Sequence, residues 1–236
     1  MFVTGFPAGP WGTNCFIAAD GPGHECIIID PGKDAAEPIR EIVTENKLRP
    51  IAVLLSHGHL DHTWSVVPVA DGYEIPAYIH PGDRHMLTNP LSGISSDMRM
   101  MLAQINAGKS VDTDPSDVLE LSDNLDLEIA GIPLTTAHAP GHTPGSIVFK
   151  YAGAHDTPPL LFSGDLLFQG SIGRTDLPGG DHTAMLQSLQ RVLTPLPDDM
   201  VVLPGHGGQT TMAAERATNP FLTNVVGSPS PPTRGL

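Results

Sequence analysis

The run His57-Gly58-His59-Leu60-Asp61-His62 constrains this chain more than any other segment. Three imidazoles and a carboxylate within six residues have no cheap structural explanation, because each needs a polar partner wherever it is buried. Imidazole and carboxylate are the donors that borderline divalent metals prefer. The preceding segment, IAVLLS at residues 51–56, is an apolar run of strand length, and Pro50 separates it from a helical pattern upstream. The donors therefore sit on a loop at the end of a buried strand, where the strand fixes the backbone and the loop carries polar groups. On an extended loop residues i and i+2 point the same way while i+4 and i+5 reach a neighbouring ion, so two adjacent sites are open to this motif.

The flanking segments read as a strand, helix, strand unit that occurs twice. Residues 15–32 form a hairpin, CFIAAD and ECIIID around Gly21-Pro22-Gly23, and the three isoleucines suit a buried strand. A helix is expected from about 34 to 47, opened by an Asp34/Glu37 capping box and carrying Ile39, Ile42 and Val43 on one face. Later strands fall at LDLEIA, IPLTTA, SIVFKY, LLFSGD and MVVLPGHG, with a helix MLQSLQRVL before the last. ECIIID, helix and IAVLLSHGH in one half thus correspond to LLFSGD, helix and MVVLPGHG in the other. Two sheets face to face with helices outside accommodate such a duplication and make the chain α/β. Between the halves, SSDMRMMLAQIN at 95–106 reads as a Met-rich helix, and a lid role for 92–118 stays open. A chain of 236 residues, 40% of them hydrophobic, fits one domain over 1–225, and the Pro-, Ser- and Gly-rich end at 226–236 is expected to be disordered.

Three further segments set a polar donor beside glycine: His142 in AHAPGHTPGS, Asp165 in LLFSGDLLF and His206 in VVLPGHGG. With these, the chain resembles the metallo-β-lactamase superfamily, whose motifs match SHGHLDH, PGHTPGS, SGD and PGHG in order, from about residue 12 to 210. The resemblance implies a four-layer αββα sandwich. It also implies that His57, His59 and His142 bind one divalent metal, that Asp61, His62 and His206 bind a second, and that Asp165 bridges them. Zinc is the expected ion, with iron and manganese as alternatives, and Asp61 and Asp165 are the expected catalytic groups, holding a hydroxide between the ions. Asp165 stands where the true β-lactamases use a cysteine, and no third cysteine joins Cys15 and Cys26, which disfavours antibiotic cleavage. The stretch GSIGRTDLPGG at 170–180 is similar to the short glyoxalase II-like hydrolases and to the persulfide dioxygenases. That likeness implies a thioester hydrolase acting on S-acyl glutathione or another low-molecular-weight thiol. A mononuclear iron persulfide dioxygenase and a lactone hydrolase are the alternatives. Glyoxalase II proper carries a helical domain that grips glutathione, and only about 30 residues follow His206 here.

Charge narrows the partners. Lys+Arg total 12 against Asp+Glu 26, a formal charge of −14 that repels phosphate backbones, so a nuclease is disfavoured and a small molecule is the expected partner. No apolar run approaches the roughly 20 residues of a membrane helix, and two cysteines in apolar strands suit a reduced setting. A cytoplasmic protein without membrane attachment is therefore expected, of open oligomeric state. His138 reads either as an orienting partner of His142 or as a strand-end residue, Arg174 and Asp176 as a pair bracing the loop under Asp165 in preference to an anchor for a substrate carboxylate, and Asn14 as a turn residue. His24, His80, His85, His155 and His182 receive no role.

Overall fold

The computed structural model describes residues 1–95, 99, 100, 102, 111–154 and 157–226. Side chains alternate across a strand, and the isoleucines of Glu25–Ile29 (β3) show what lies on each side. Ile28 joins a cluster with Ile39, Val43, Val66 and Val69, which belong to helices. Ile27 and Ile29 point the other way, into a cluster with Phe149, Phe162 and Leu203 of other strands. Both faces of this strand are therefore apolar and covered, which explains why its sequence is a continuous hydrophobic run rather than an alternation.

The first sheet has the order β1 (Phe2–Ala8), β2 (Thr13–Ala19), β3, β4 (Arg49–Leu54), β5 (Ala77–Ile79), β6 (Val118–Glu120). The first two pairings are antiparallel and the rest parallel. The second sheet is β7 (Asp126–Ile129), β8 (Ile132–His138), β9 (Ile147–Tyr151), β10 (Leu160–Gly164), β11 (Val201–Pro204), β12 (Thr210–Thr211), in which only β10 and β11 run parallel. Helices α1 (Ala36–Glu45), α2 (Leu60–Thr63), α3 (Val66–Tyr73) and α4 (Arg84–Thr88) accompany the first half. Helix α5 (His182–Ser188), which continues as a π-helical turn over Leu189–Leu193, α6 (Met212–Thr218) and α7 (Pro220–Val226) accompany the second. Met185, Leu189, Met212 and Leu222 pack on Val148, Leu161 and Val202, the outward residues of the second sheet. The result is the expected αββα sandwich. The duplication is real in topology, since β3-α1-β4 and β10-α5-β11 are each a parallel pair joined by a helical crossover.

Several local expectations change. Asp34 does not cap α1: its backbone is left-handed at φ 61°, its carboxylate meets Lys33 at 2.8 Å, and Ala35 occupies the cap position without a side-chain bond. Asn14 lies inside β2 rather than in a turn, and its amide donates to the carbonyls of Pro204 and Gly207 at 2.9 and 2.8 Å, tying the two sheets together. The short strands β1, β5, β6 and β12 and the helices α6 and α7 were not expected, because their sequences are too short or too rich in Thr, Gly and Pro to show a period. The Met-rich segment at 95–106 falls mostly outside the described residues, although Arg99, Met100 and Leu102 are helical. Val226 ends α7, and residues 227–236 lie outside the described residues. Among the described residues no helix is long and apolar enough to cross a membrane, and both cysteines are buried and unpaired.

Candidate metal centre

Five strand ends converge at one edge of the sandwich. Asp30 follows β3, His57 and His59 lie on the loop after β4 while Asp61 and His62 stand not on that loop, as expected, but on the one-turn helix α2, His142 follows β8, Asp165 follows β10 and His206 follows β11. The sharp turns there need residues without a Cβ. At Gly205 a Cβ would strike the Asp165 carboxylate and come within 2.8 Å of His62 Cε1, so only glycine lets the His206 loop pass so close. A bridge between Thr13 and His206 and a bond from Asn14 N to Gly205 O at 2.7 Å fix this loop to the other sheet.

The seven expected donors all meet there. His57, His59 and His142 form one group able to hold an ion, Asp61, His62 and His206 another, and Asp165 groups with His57 and His62 between them. His59 Nδ1 and His142 Nε2 lie 2.8 Å apart, and His62 Nε2 and His206 Nε2 3.2 Å apart. Asp165 reaches both groups: one oxygen is 3.3 Å from His62 Nε2, the other 3.3 Å from His142 Nε2 and 3.7 Å from His206 Nε2. Asp61 lies 3.2 Å from His206 Nε2 and accepts from Thr13 Oγ1 at 3.1 Å.

The far sides of the rings decide what the near sides can do. His62 Nδ1 donates to Asp30 at 2.9 Å, His142 Nδ1 to the Arg174 carbonyl at 2.7 Å and His206 Nδ1 to the Trp11 carbonyl at 3.2 Å. His57 Nδ1 meets Ser56 Oγ at 3.1 Å, and that hydroxyl is committed to Asp30 as donor at 2.6 Å. Each of these four rings therefore carries its proton on Nδ1 and turns the Nε2 lone pair into the cluster, the tautomer a metal ligand requires. Two buried inward atoms, His57 Nε2 and Asp165 Oδ1, have no hydrogen-bond partner. Lone pairs and carboxylates that face one another without donors call for a cation.

Protonation follows the same charges. Burial takes His57 well below the ordinary imidazole range, and burial with His142 lowers His59 to about 3. Burial opposes ionisation of Asp165, but His62 and the other imidazoles outweigh it and hold that carboxyl at about 2, with Asp61 below its ordinary range for the same reason. His62 is pulled both ways: burial lowers it, yet Asp165, Asp61 and Asp30 raise it well above the usual value. Surroundings negative enough to keep a proton on a fully buried imidazole would equally favour a cation in that proton's place.

Three buried acids escaped the reading of the sequence as site residues. Asp30 orients His62 and, through Ser56, His57. Its signal was present, since ECIIID ends in the same carboxylate as LLFSGD. Asp83 is fully buried beyond α3 and accepts from Gly58 N at 2.9 Å, Thr143 Oγ1 at 2.6 Å and Gly145 N at 2.7 Å, clamping the His57–His59 loop to the His142 loop. Glu215 accepts from Gly170 N, Thr210 Oγ1 and Asn219 Nδ2, holding the loop after Phe168. No local pattern marks either of these two. His138 does not touch the His142 ring: it stacks on His80 with centroids 3.9 Å apart and bonds to Pro144 O at 2.8 Å, bracing the loop from outside. Arg174 and Asp176 do pair, bidentately at 2.7 Å, on the rim. A cavity of about 360 Å³ opens in front of the cluster, with His59, Asp61, His142, Asp165 and His206 in its floor.

Comparison with known proteins identifies the family and the fold. The family described as the metallo-beta-lactamase superfamily matches residues 8–206. The chain is 33% identical to hydroxyacylglutathione hydrolase GloC of Haemophilus influenzae, over 95% of this chain and 99% of that one. Among solved structures it is similar to BLEG-1 B3 metallo-beta-lactamase, at 37% identity and a TM-score of 0.78 over 94% of this chain and 100% of that one. It is likewise similar to a protein solved in a di-iron-bound form, at 36% identity and a TM-score of 0.76 over the same shares. The missing cysteine ligand therefore does not separate this chain from every protein called a lactamase.

The clamp makes Asp83 a test of how the ligand loops are held. Asp83→Ala leaves three buried donors without their acceptor and is expected to cost about 3 kcal/mol of stability or more. Urea unfolding in the presence of chelator reads this, with Asp176→Ala, at an exposed pair, expected to leave the midpoint unchanged. Equal midpoints for the two variants would contradict the clamp.

Proposed function

We propose that this chain, which belongs to the metallo-β-lactamase superfamily, is a metal-dependent hydrolase that cleaves thioesters of a low-molecular-weight thiol. In this reading one divalent cation is held by His57, His59 and His142, a second by Asp61, His62 and His206, and Asp165 is shared. The observation that carries it is the convergence of seven N and O donors, four of whose rings have their outer nitrogens already bonded, with His57 Nε2 and Asp165 Oδ1 buried without hydrogen-bond partners. Such a set suits zinc and accepts iron or manganese, and the di-iron neighbour supports iron in particular. Bound cations supply a water of lowered pKa and a Lewis-acid partner for a carbonyl oxygen.

The residues supply the rest. Asp61, steadied by Thr13, and Asp165 flank the floor of the cavity and accept hydrogen bonds from a water, aiming its lone pair outward. The water oxygen bonds to the thioester carbonyl carbon, the carbon–sulfur bond breaks, and its electron pair leaves on sulfur. The water gives up one proton, and the products are a carboxylic acid and a thiol. A thiolate departs without an acid, whereas an amine leaving a β-lactam needs a proton. Asp61 and Asp165 are held ionised, below the ordinary carboxylate range, and cannot donate one. The likeness to hydroxyacylglutathione hydrolase supports a thioester over a β-lactam amide.

The test is hydrolysis of a panel of S-acyl thioesters that includes S-D-lactoylglutathione, with and without chelator, alongside a cephalosporin, a homoserine lactone and oxygen uptake with glutathione persulfide. Chelator-sensitive thioester cleavage without oxygen uptake is expected. Oxygen uptake with one iron per chain would replace this reading by a dioxygenase. A second measurement addresses the ligand support: Asp30→Asn is expected to weaken metal binding about 10–100-fold, read by competition with a chromogenic chelator, and an unchanged affinity would contradict the role given to Asp30.

A further inference from the structure

The walls of the cavity have a different chemistry from its floor. Trp11, Leu60, Ile94, Leu102, Phe168 and Ile172 line it. Leu60, Ile94 and Leu102 form an apolar cluster apart from the three cores, with Trp11, Trp64 and Val111 against it. Two of the three large hydrophobic side chains exposed among the described residues, Leu91 at 44% and Met100 at 64%, belong to the same stretch of chain. Arg174 is the only Lys or Arg among the described lining residues, and one edge of its guanidinium, Nε and Nη2, already meets the Asp176 carboxylate on the rim.

Resting on the thioesterase reading above, we infer that this pocket selects thioesters with an aliphatic acyl group on a thiol of low charge, over a peptide thiol bearing two carboxylates such as glutathione. A second carboxylate would face a mainly apolar wall whose one described cation, Arg174, is already paired with Asp176, so its desolvation is poorly offset. The formal charge of −14 works against anionic substrates at longer range as well. An aliphatic chain meets the reverse situation, since each methylene moved out of water is worth about fourfold in binding. A cavity of about 360 Å³ is at the small end for ligand sites, which suits a short or medium acyl chain.

The experiment compares S-acetyl- and S-hexanoyl-N-acetylcysteamine with S-D-lactoylglutathione on metal-loaded protein. It also measures binding of the matching ketone analogues, in which a methylene separates carbonyl from sulfur. The tryptophan readout is built in, because the chain has two tryptophans, Trp11 in the wall and Trp64 with its ring centroid 5.7 Å away. The expected result is kcat/KM up to about 250-fold higher for hexanoyl than for acetyl, from four further methylenes at about fourfold each, with lactoylglutathione below hexanoyl. The hexanoyl analogue should shift tryptophan emission at correspondingly lower concentration. Ile94→Thr should flatten the chain-length ratio severalfold, while Leu119→Thr, on an exposed strand away from the pocket, should not. A ratio near one, or a preference for lactoylglutathione, overturns the inference and leaves the thioesterase reading standing. Chain-length-dependent analogue binding without chelator-sensitive turnover of any thioester overturns the thioesterase reading instead.

Discussion

The crowding of like groups around His62 is what the rest of the molecule has to accommodate. Its Nε2 lies 3.2 Å from a second imidazole nitrogen and 3.3 and 3.6 Å from two carboxylates, all in a fully buried position. Lone pairs and carboxylates brought this close in a buried position favour a cation between them. The surrounding structure holds them together by committing every outer atom it can reach. Asp30, the Ser56 hydroxyl and the carbonyls of Arg174 and Trp11 take the outer nitrogens of four rings. Asp83 joins the two loops that carry the first three ligands, and Asn14 joins the sheets behind His206. The sandwich thus acts as a frame in which strand ends from both sheets are pressed against one another, and the strain of that approach is what a pair of cations would relieve.

How much of this was legible follows from how local each signal is. The seven donors sit in four short motifs, each beside glycine at the end of an apolar run, so their convergence could be anticipated one motif at a time. The layers were equally legible, because β3, β4, β10 and β11 are buried on both faces and read as continuous hydrophobic runs. Asp34 misled because an Asp three residues before a Glu looks the same whether or not the backbone turns left-handed at that point. Asp83 could not be found, since a lone acid in PGD carries no mark of the donors that fold toward it from 25 to 62 residues away, and for Glu215 the neighbouring Thr210 and Asn219 gave no hint of the Gly170 amide 45 residues away. Residue contacts that depend on topology rather than on sequence neighbours stay hidden until the chain is folded.

The floor and the walls of the cavity divide the chemistry. The floor concentrates ionised carboxylates and imidazoles, a donor set suited to cations. The walls are apolar and nearly free of cations. Under the proposed function, this division would suit a substrate whose leaving group is already stable as an anion and whose acyl chain meets the apolar wall.

The central claim is that the seven donors hold two cations, and anomalous diffraction from crystals of the zinc-loaded protein tests it most directly. The account predicts two peaks in each chain, one among His57, His59 and His142 and one among Asp61, His62 and His206, with Asp165 in contact with both. A single peak confined to the first group, or density that leaves Asp165 unligated, would contradict it.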